Sequence, residues 1–118
     1  MTAATIDPAI FAELKDTAGA DFVSELVATF ADEEAPQMLA ELRDALAAGS
    51  AERFRRAAHS LKSNAMTFGA LPLGELARSL ELGGLPADDA PLMALEAAYA
   101  DAAVALRERL RPLQVAGL

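Results

Sequence analysis

The sequence predicts an all-α domain, an antiparallel four-helix bundle with a short N-terminal helix that caps one end. Ala and Leu, which favour helices, dominate an apolar content of 53%. No stretch alternates apolar and polar residues as a half-buried strand would. Instead, four substantial amphipathic segments follow a short leading one, and this pattern with short connections is typical of a bundle. We expect residues 1–118 to form a single domain, with frayed ends at 1–5 and 113–118.

Helix-start and helix-stop signals divide the first half of the chain. Asp7 and Pro8 open the leading segment, because Asp caps helices and Pro suits the first helical position, and Gly19 ends it. Asp21 is expected to cap the next helix. The apolar residues predicted to share its buried face are Phe22, Leu26 and Phe30. Pro36 interrupts this run before the helical spacing resumes, which predicts one long helix kinked near Pro36 or two helices nearly end to end.

Three further helices are predicted in the second half. The first spans residues 50–68, with Ser50 as its cap and Gly69 as a left-handed stop. Its buried stripe is Phe54, Ala58, Leu61, Ala65 and Phe68. The second spans residues 71–83, and the residues expected to face inward are Leu73, Leu76, Ala77 and Leu80. The third spans residues 91–110, and its stripe is Leu92, Leu95, Tyr99, Ala102 and Leu106.

Composition argues against several classes of protein. The absence of cysteine rules out disulfides and thiolate metal sites, and a single histidine without cysteine predicts no metal site. No run of about 18 apolar residues is present that could span a bilayer, and the N-terminus has no signal-peptide pattern, so a cytoplasmic protein is expected. The net charge of −8 argues against nucleic acid or an anionic membrane as the partner.

The basic residues are concentrated in one segment. Four of the ten fall within ten positions, namely Arg53, Arg55, Arg56 and Lys62. No acidic residue lies between Glu52 and Glu75, although a solvated helix face usually mixes charges to gain pairs three or four residues apart. We therefore interpret this segment as a positive surface, free of compensating acids, inside an acidic chain.

The only histidine, His59, lies in this segment. Arg55, His59, Lys62 and Met66 form one helical stripe beside the buried stripe, at spacings of four, three and four residues. His59 is thus expected at the edge of the core, with one side open to solvent. Two interpretations stay open: an ordinary boundary residue, or a nucleophile, because an imidazole that is neutral near pH 7 has a free lone pair. A phosphoryl group is the electrophile that the surrounding cations would favour.

The stretch of residues 58–70 resembles histidine-containing phosphotransfer (HPt) domains. That family's signature is close to His-x-Leu-Lys-Gly, followed after a short spacer by an apolar residue, Gly and a small residue. The matching residues are His59, Leu61, Lys62, Phe68, Gly69 and Ala70. Residues 76–81 look like the family's following helix, and the similarity extends to residues 6–7 and 19–22, so it covers essentially the whole chain.

The resemblance implies a phosphoacceptor on the exposed side of a helical bundle. His59 Nε2 would be the nucleophile, Lys62 would stabilise the phosphoryl oxygens, and Glu81 would be a polar partner of the imidazole. Residues that would support the site structurally are Leu61, Phe68 and Gly69. Residues that would contact the partner are Arg55, Arg56, Ser63 and Met66.

The resemblance also implies the partner. The phosphoryl group would come from, and return to, an aspartate on a receiver domain of a response regulator or hybrid histidine kinase. That receiver would hold Mg²⁺, whereas this chain would need no cofactor or metal and would act as a monomer. Because no ATP-binding motif or Gly-rich phosphate loop is present, the chain is expected to carry phosphate and not to be an enzyme.

One position departs from the family pattern, and two other functions stay open. Ser63 stands where the family usually has Gly; Ser is nearly as small and its hydroxyl could bond to phosphate, so partner selectivity is the property expected to change, while activity survives. The first alternative is a non-catalytic adaptor that docks receiver or kinase domains through the same basic helix face. The second is a dimeric docking bundle similar to that of histidine kinases.

Overall fold

Five helices account for most of residues 5–115, the part of the chain described by the computed structural model, in which side chains are described through residue 110. In chain order the elements are α1 (Pro8–Ala18), α2 (Ala20–Thr29), a π-helical turn (Phe30–Glu34), α3 (Ala35–Ala48), α4 (Ala51–Thr67), α5 (Leu71–Gly83) and α6 (Ala90–Val115). Because α2, the π turn and α3 are continuous, they form one long helix. Residues 5–115 contain no strand. The long helix, α4, α5 and α6 surround one apolar core, which confirms the predicted four-helix bundle.

The leading helix α1 caps the end of the bundle at which α4 stops. The Asp7 carboxylate accepts hydrogen bonds from the backbone N–H groups of Ala9 and Ile10, at 2.9 and 3.2 Å, as predicted for its cap. The Asp7 backbone N–H donates to the Gly69 carbonyl at 2.8 Å, which ties α1 to the residue that ends α4. Gly69 has φ +78°, so its predicted left-handed conformation is confirmed.

Near Pro36, where a kink or a junction of two helices was predicted, the long helix contains the π turn. There the Ala35 N–H reaches back five residues to the Phe30 carbonyl, in place of the usual four. Pro36 has no N–H to offer the Ala31 carbonyl, which lies five residues before it. The Tyr99 hydroxyl of α6 donates to that carbonyl instead, so α6 satisfies an acceptor that the proline leaves open.

Two predictions about α2 are wrong. Gly19, with φ +91°, ends α1 and serves as the N-cap position of α2 without any loop, so Asp21 lies inside the first turn and is not the cap. Phe22 is exposed, and the residues that face the core are Val23, Val27 and Phe30. Both sets have helical spacing, and only the packing against other helices distinguishes them.

The stripes of the later helices are largely confirmed. The predicted stripe of α4 is fully buried, and Phe68 at its end packs against Phe30 of the π turn, with 5.1 Å between ring centroids. In α5, Leu76 was expected to face inward but is 37% exposed, because it lies at the margin of the buried face formed by Leu73, Ala77 and Leu80. In α6, Tyr99 is half-buried and the rest of the predicted stripe is buried.

The last helix is longer than predicted. α6 begins at Ala90 and continues through Pro112 to Val115, because a proline removes a single backbone donor and need not stop a helix of 26 residues. The frayed ends predicted at 1–5 and 113–118 lie largely outside the described residues. Within residues 5–115, no helix has the length and apolar character needed to cross a membrane.

Candidate functional site

His59 projects from the middle of α4, and the packing of that helix fixes where it lies. Ser50 starts α4 by accepting a hydrogen bond from the Arg53 backbone N–H, as predicted. Ala58 and Leu61, on either side of His59, are fully buried and hold this stretch of the helix against the core. The His59 side chain itself is 53% exposed. It therefore lies at the boundary predicted from the helical spacing.

Glu81 of α5 holds one nitrogen of the His59 ring. Its Oε2 lies 2.8 Å from His59 Nδ1, and its side chain is only 13% exposed. A carboxylate can only accept a hydrogen bond, so Nδ1 carries the hydrogen and the neutral ring has its free lone pair on Nε2. The arrangement leaves the second nitrogen, on the far side of the ring from Glu81, as the basic one.

Lys62, one helical turn after His59, contacts the same carboxylate. Its Nζ lies 2.9 Å from Glu81 Oε1, and its side chain is 25% exposed. The Lys62 ammonium, and after it the His59 ring, hold the pKa of the Glu81 carboxyl below its usual range. His59 and Lys62, which helical spacing and charge indicated, thus both contact Glu81, which the family resemblance added, across α4 and α5.

The expectation that the basic segment lacks compensating acids is wrong. Glu52 Oε1 lies 2.9 Å from an Arg55 amino nitrogen and 3.7 Å from Arg56 Nε. Arg53 makes a two-pronged hydrogen bond to Glu41 of α3, at 2.8 and 3.0 Å. These arginines hold the pKa values of both carboxyls below their usual range.

The acids come from neighbouring helices and from the segment's own first turn. Four cations therefore face three carboxylates, those of Glu41, Glu52 and Glu81, and the surface around His59 is only weakly positive. The pairing of Glu52 could have been predicted from the sequence, because it lies three and four residues before Arg55 and Arg56. Glu41 carries no sequence signal of its own, because its pairing depends on how α3 packs against α4.

The predicted partner-binding residues lie in different surroundings. Arg55, Arg56 and Ser63 are exposed on the same side of α4 as His59. Met66 is half-buried and turned towards α5, where a β-carbon added to Gly74 would lie 2.7 Å from Met66 Cε. On the other side of His59, an open groove of about 340 Å³ runs between α3 and α4. Its lining residues are Gln37, Met38, Glu41, Arg53, Arg56, Ala57 and Ser60.

The residues expected to support the site are buried, and the acids do not form a metal site. Leu61 and Phe68 are part of the core, and Gly69 lies against the start of α1. Among the described residues, no group of three or more His, Asp or Glu side chains is arranged to hold a metal ion. The His59 ring contacts the Glu81 carboxylate, and that carboxylate also contacts the Lys62 ammonium.

Comparison with known protein families identifies a match that includes the site. The family model of the Hpt domain matches residues 25–109, which include His59, Lys62 and Glu81 and cover most of the chain. No curated protein matches the chain, and no solved structure does. Hpt domains are phosphocarrier modules that take part in histidine phosphotransfer and interact with receiver domains in phosphorelays. The extent of the match, together with the helical bundle that carries the site, shows that this chain belongs to the Hpt domain family.

Proposed function

We propose that His59 accepts a phosphoryl group from the aspartate of one receiver domain and passes it to another. The observation that carries this proposal is the contact of His59 Nδ1 with Glu81, which leaves the lone pair of the neutral ring on Nε2 of a side chain that is half-exposed on the bundle surface. Receiver domains of response regulators or of hybrid histidine kinases are the proposed partners. Mg²⁺ would be bound by the receiver, and this chain would contribute no cofactor and no ATP site.

The transfer step needs only groups that the two proteins supply. The Nε2 lone pair attacks the phosphorus of the aspartyl phosphate, and a P–N bond forms while the P–O bond to aspartate breaks. The aspartate leaves as a carboxylate with the electron pair of the broken bond. Positive charge develops on the ring as the new bond forms, and the Glu81 carboxylate on Nδ1 stabilises it. The reverse step returns the group to a second receiver.

The cations around His59 have separate proposed roles. Lys62, three residues along α4, can reach the oxygens of a phosphoryl group on Nε2 with its flexible side chain. Arg55 and Arg56, exposed one turn before His59, would face the acidic site of the receiver together with Ser63. We expect Met66 to contribute through its packing beside this surface.

Phosphotransfer profiling tests the proposal. Each receiver domain of the source genome is phosphorylated with radiolabel, mixed with the chain and Mg²⁺, and the label on the chain is followed on gels. We expect acid-labile, base-stable label on wild type and none on His59→Gln. Glu75→Gln, which changes an exposed acid elsewhere on α5, is the matched control and should accept label normally. Label retained on His59→Gln would refute the assignment.

The same variants, tested for transfer of label and for binding to receivers, distinguish a phosphoryl carrier from a non-catalytic adaptor. An adaptor would bind receivers equally well after His59→Gln, transfer no label, and lose affinity when Arg55 and Arg56 are changed to Glu. A carrier loses transfer with His59→Gln. Lys62→Ala should slow transfer or shorten the lifetime of the phosphohistidine while the fold is kept, since Lys62 lies outside the core. Sedimentation at working concentration should give a monomer, and a stable dimer would favour a histidine-kinase-like docking bundle.

A further inference from the structure

Glu81 has two partners, one for each carboxylate oxygen. Oε2 lies 2.8 Å from His59 Nδ1, and Oε1 lies 2.9 Å from Lys62 Nζ. The ammonium expected to stabilise the phosphoryl group is therefore already bound to the residue that orients the imidazole. The single positive charge of Lys62 is therefore shared between two possible partners, the Glu81 carboxylate and a phosphoryl group on His59. The packing of α4 against α5 sets the distance between them.

The environment of the two oxygens is unequal. Oε1 is shielded from water and makes no well-aligned hydrogen bond among the described residues, so the Lys62 ammonium is its ion-pair partner. A buried carboxylate oxygen that loses its counter-ion is destabilised, because neither water nor another donor replaces it. Glu81 therefore has a strong hold on Lys62 in the unphosphorylated protein.

A phosphoryl group on Nε2 changes this balance. It brings a charge of nearly −2 to the exposed side of the ring, away from the nitrogen that contacts Glu81. The nearest other cations on α4, Arg55 and Arg56, are exposed and contact Glu52, whereas Lys62 is the cation that contacts the carboxylate bound to the imidazole. Lys62 is then attracted by a dianion on one side and by a carboxylate on the other, and attraction to either weakens its contact with the other.

We infer that Glu81 competes with the phosphoryl group on His59 for the Lys62 ammonium, and so limits the lifetime of the phosphohistidine. This inference rests on the proposed function of His59. Glu81 is a positioning residue with two opposed effects. Its contact with Nδ1 favours attack by Nε2, whereas its contact with Lys62 keeps the bound phosphoryl group reactive enough to be passed on.

The substitution Glu81→Gln separates the two effects. A glutamine oxygen can still accept the hydrogen bond from Nδ1, but the amide has no charge with which to hold Lys62. We expect the phosphohistidine of Glu81→Gln to last about three- to fivefold longer than that of wild type, the change expected from losing a competing ion pair at the upper end of the surface range. In a Lys62→Gln background the same change should leave the lifetime unaltered.

Lifetimes are measured on the isolated, labelled proteins. Each variant is phosphorylated with radiolabelled phosphoramidate, freed of donor, and the loss of label is followed at constant pH and salt. In the labelling step, Nε2 attacks phosphorus and ammonia leaves. Glu75→Gln is the matched acid-to-amide control and should decay like wild type. Should Glu81→Gln lose helicity by circular dichroism, Glu81→Met replaces it. Because Met also removes the acceptor for Nδ1, the inference then requires a gain in lifetime that is larger in the wild-type background than in the Lys62→Gln background.

Two results would overturn the inference. One is a Glu81→Gln lifetime equal to or shorter than that of wild type. The other is a gain in lifetime that persists in the Lys62→Gln background, which would trace the effect to the imidazole alone. Because phosphoramidate needs no receiver, these outcomes are distinct from failure of the proposed relay function. That failure would be seen as an absence of label exchange with every receiver while chemical labelling of His59 succeeds.

Discussion

Replacing Gly69 with alanine tests how firmly the end of α4 is joined to α1. Gly69 has φ +78°, in the left-handed region that side chains rarely adopt. A β-carbon at this position would lie 3.0 Å from the Asp7 carbonyl oxygen and 3.1 Å from Ile10 Cβ. The first atom belongs to the backbone of the residue that caps α1, and the second is the first side-chain atom of a residue within α1. Neither can move aside unless α1 itself shifts.

Gly69→Ala is expected to lower the free energy of unfolding for two reasons. The left-handed conformation costs an alanine about 1–2 kcal/mol. The two tight contacts add about 1–3 kcal/mol, as overpacking of a well-packed site does. Gly69→Ala should therefore lower the free energy of unfolding by about 2–5 kcal/mol, a large share of the roughly 5–15 kcal/mol that a domain of this kind has.

Gly49→Ala is the matched control. Gly49 also has a positive φ, +67°, at the end of α3, but a β-carbon there would meet no atom within 4 Å. It should therefore cost only the conformational part, about 1–2 kcal/mol. Urea unfolding followed by circular dichroism gives both values by linear extrapolation. If Gly69→Ala costs no more than Gly49→Ala, the close approach of α1 to Gly69 does not contribute to stability and the reasoning fails.

Three further predictions concern capping, the π turn and pH. Ser50→Ala should lower the free energy of unfolding by about 1 kcal/mol, because α4 loses its capping oxygen, while Ser79→Ala on the exposed face of α5 should change it little in the same urea assay. Tyr99→Phe should cost about 1–3 kcal/mol, since the Ala31 carbonyl loses its donor; a cost near zero would mean that water replaces the hydroxyl. The carboxyls whose pKa is held below the usual 4.5 by basic partners are Glu41, Glu52, Glu81 and Glu96. They bind protons at lower pH in the folded than in the unfolded chain, so the thermal stability that these pairs contribute should be fully present above about pH 5 and be lost as pH drops from 4.5 through the lowered values. A melting temperature that rises as the pH falls through that range would contradict the pairing of these carboxyls with basic side chains.

The balance of charge around His59 is set by three helices together. The sequence indicated a segment with four cations and no acids, and the bundle supplies an acid to each of them from α3, from α5 or from the first turn of α4. Attraction of an acidic partner, such as the proposed receiver, by this surface is therefore weaker than the segment alone suggests. The arginines remain exposed, however, and can exchange their surface partners for those of a docked protein at little cost.

Much of the fold was predictable because helical periodicity and capping are local. Asp7 with Pro8, Ser50 and Gly69 marked helix ends correctly, since a cap depends on a few neighbouring residues. The predictions for Phe22 and Leu76 failed because each lies next to the true buried face, and spacing tolerates either choice. Which neighbour is buried depends on where the adjoining helices lie.

The sequence by itself determined the helices, the buried stripe of α4 and the position of His59 at its edge, because these follow from the spacing of residues along one chain. It also pointed to Lys62, one turn from His59. The family resemblance suggested Glu81, twenty-two positions after His59, as a partner of the imidazole, but only the tertiary structure shows that Glu81 contacts His59 Nδ1 and also holds Lys62. The physical reason is that a hydrogen bond and an ion pair across two helices need side chains within 3 Å, a distance fixed only when α4 and α5 pack together.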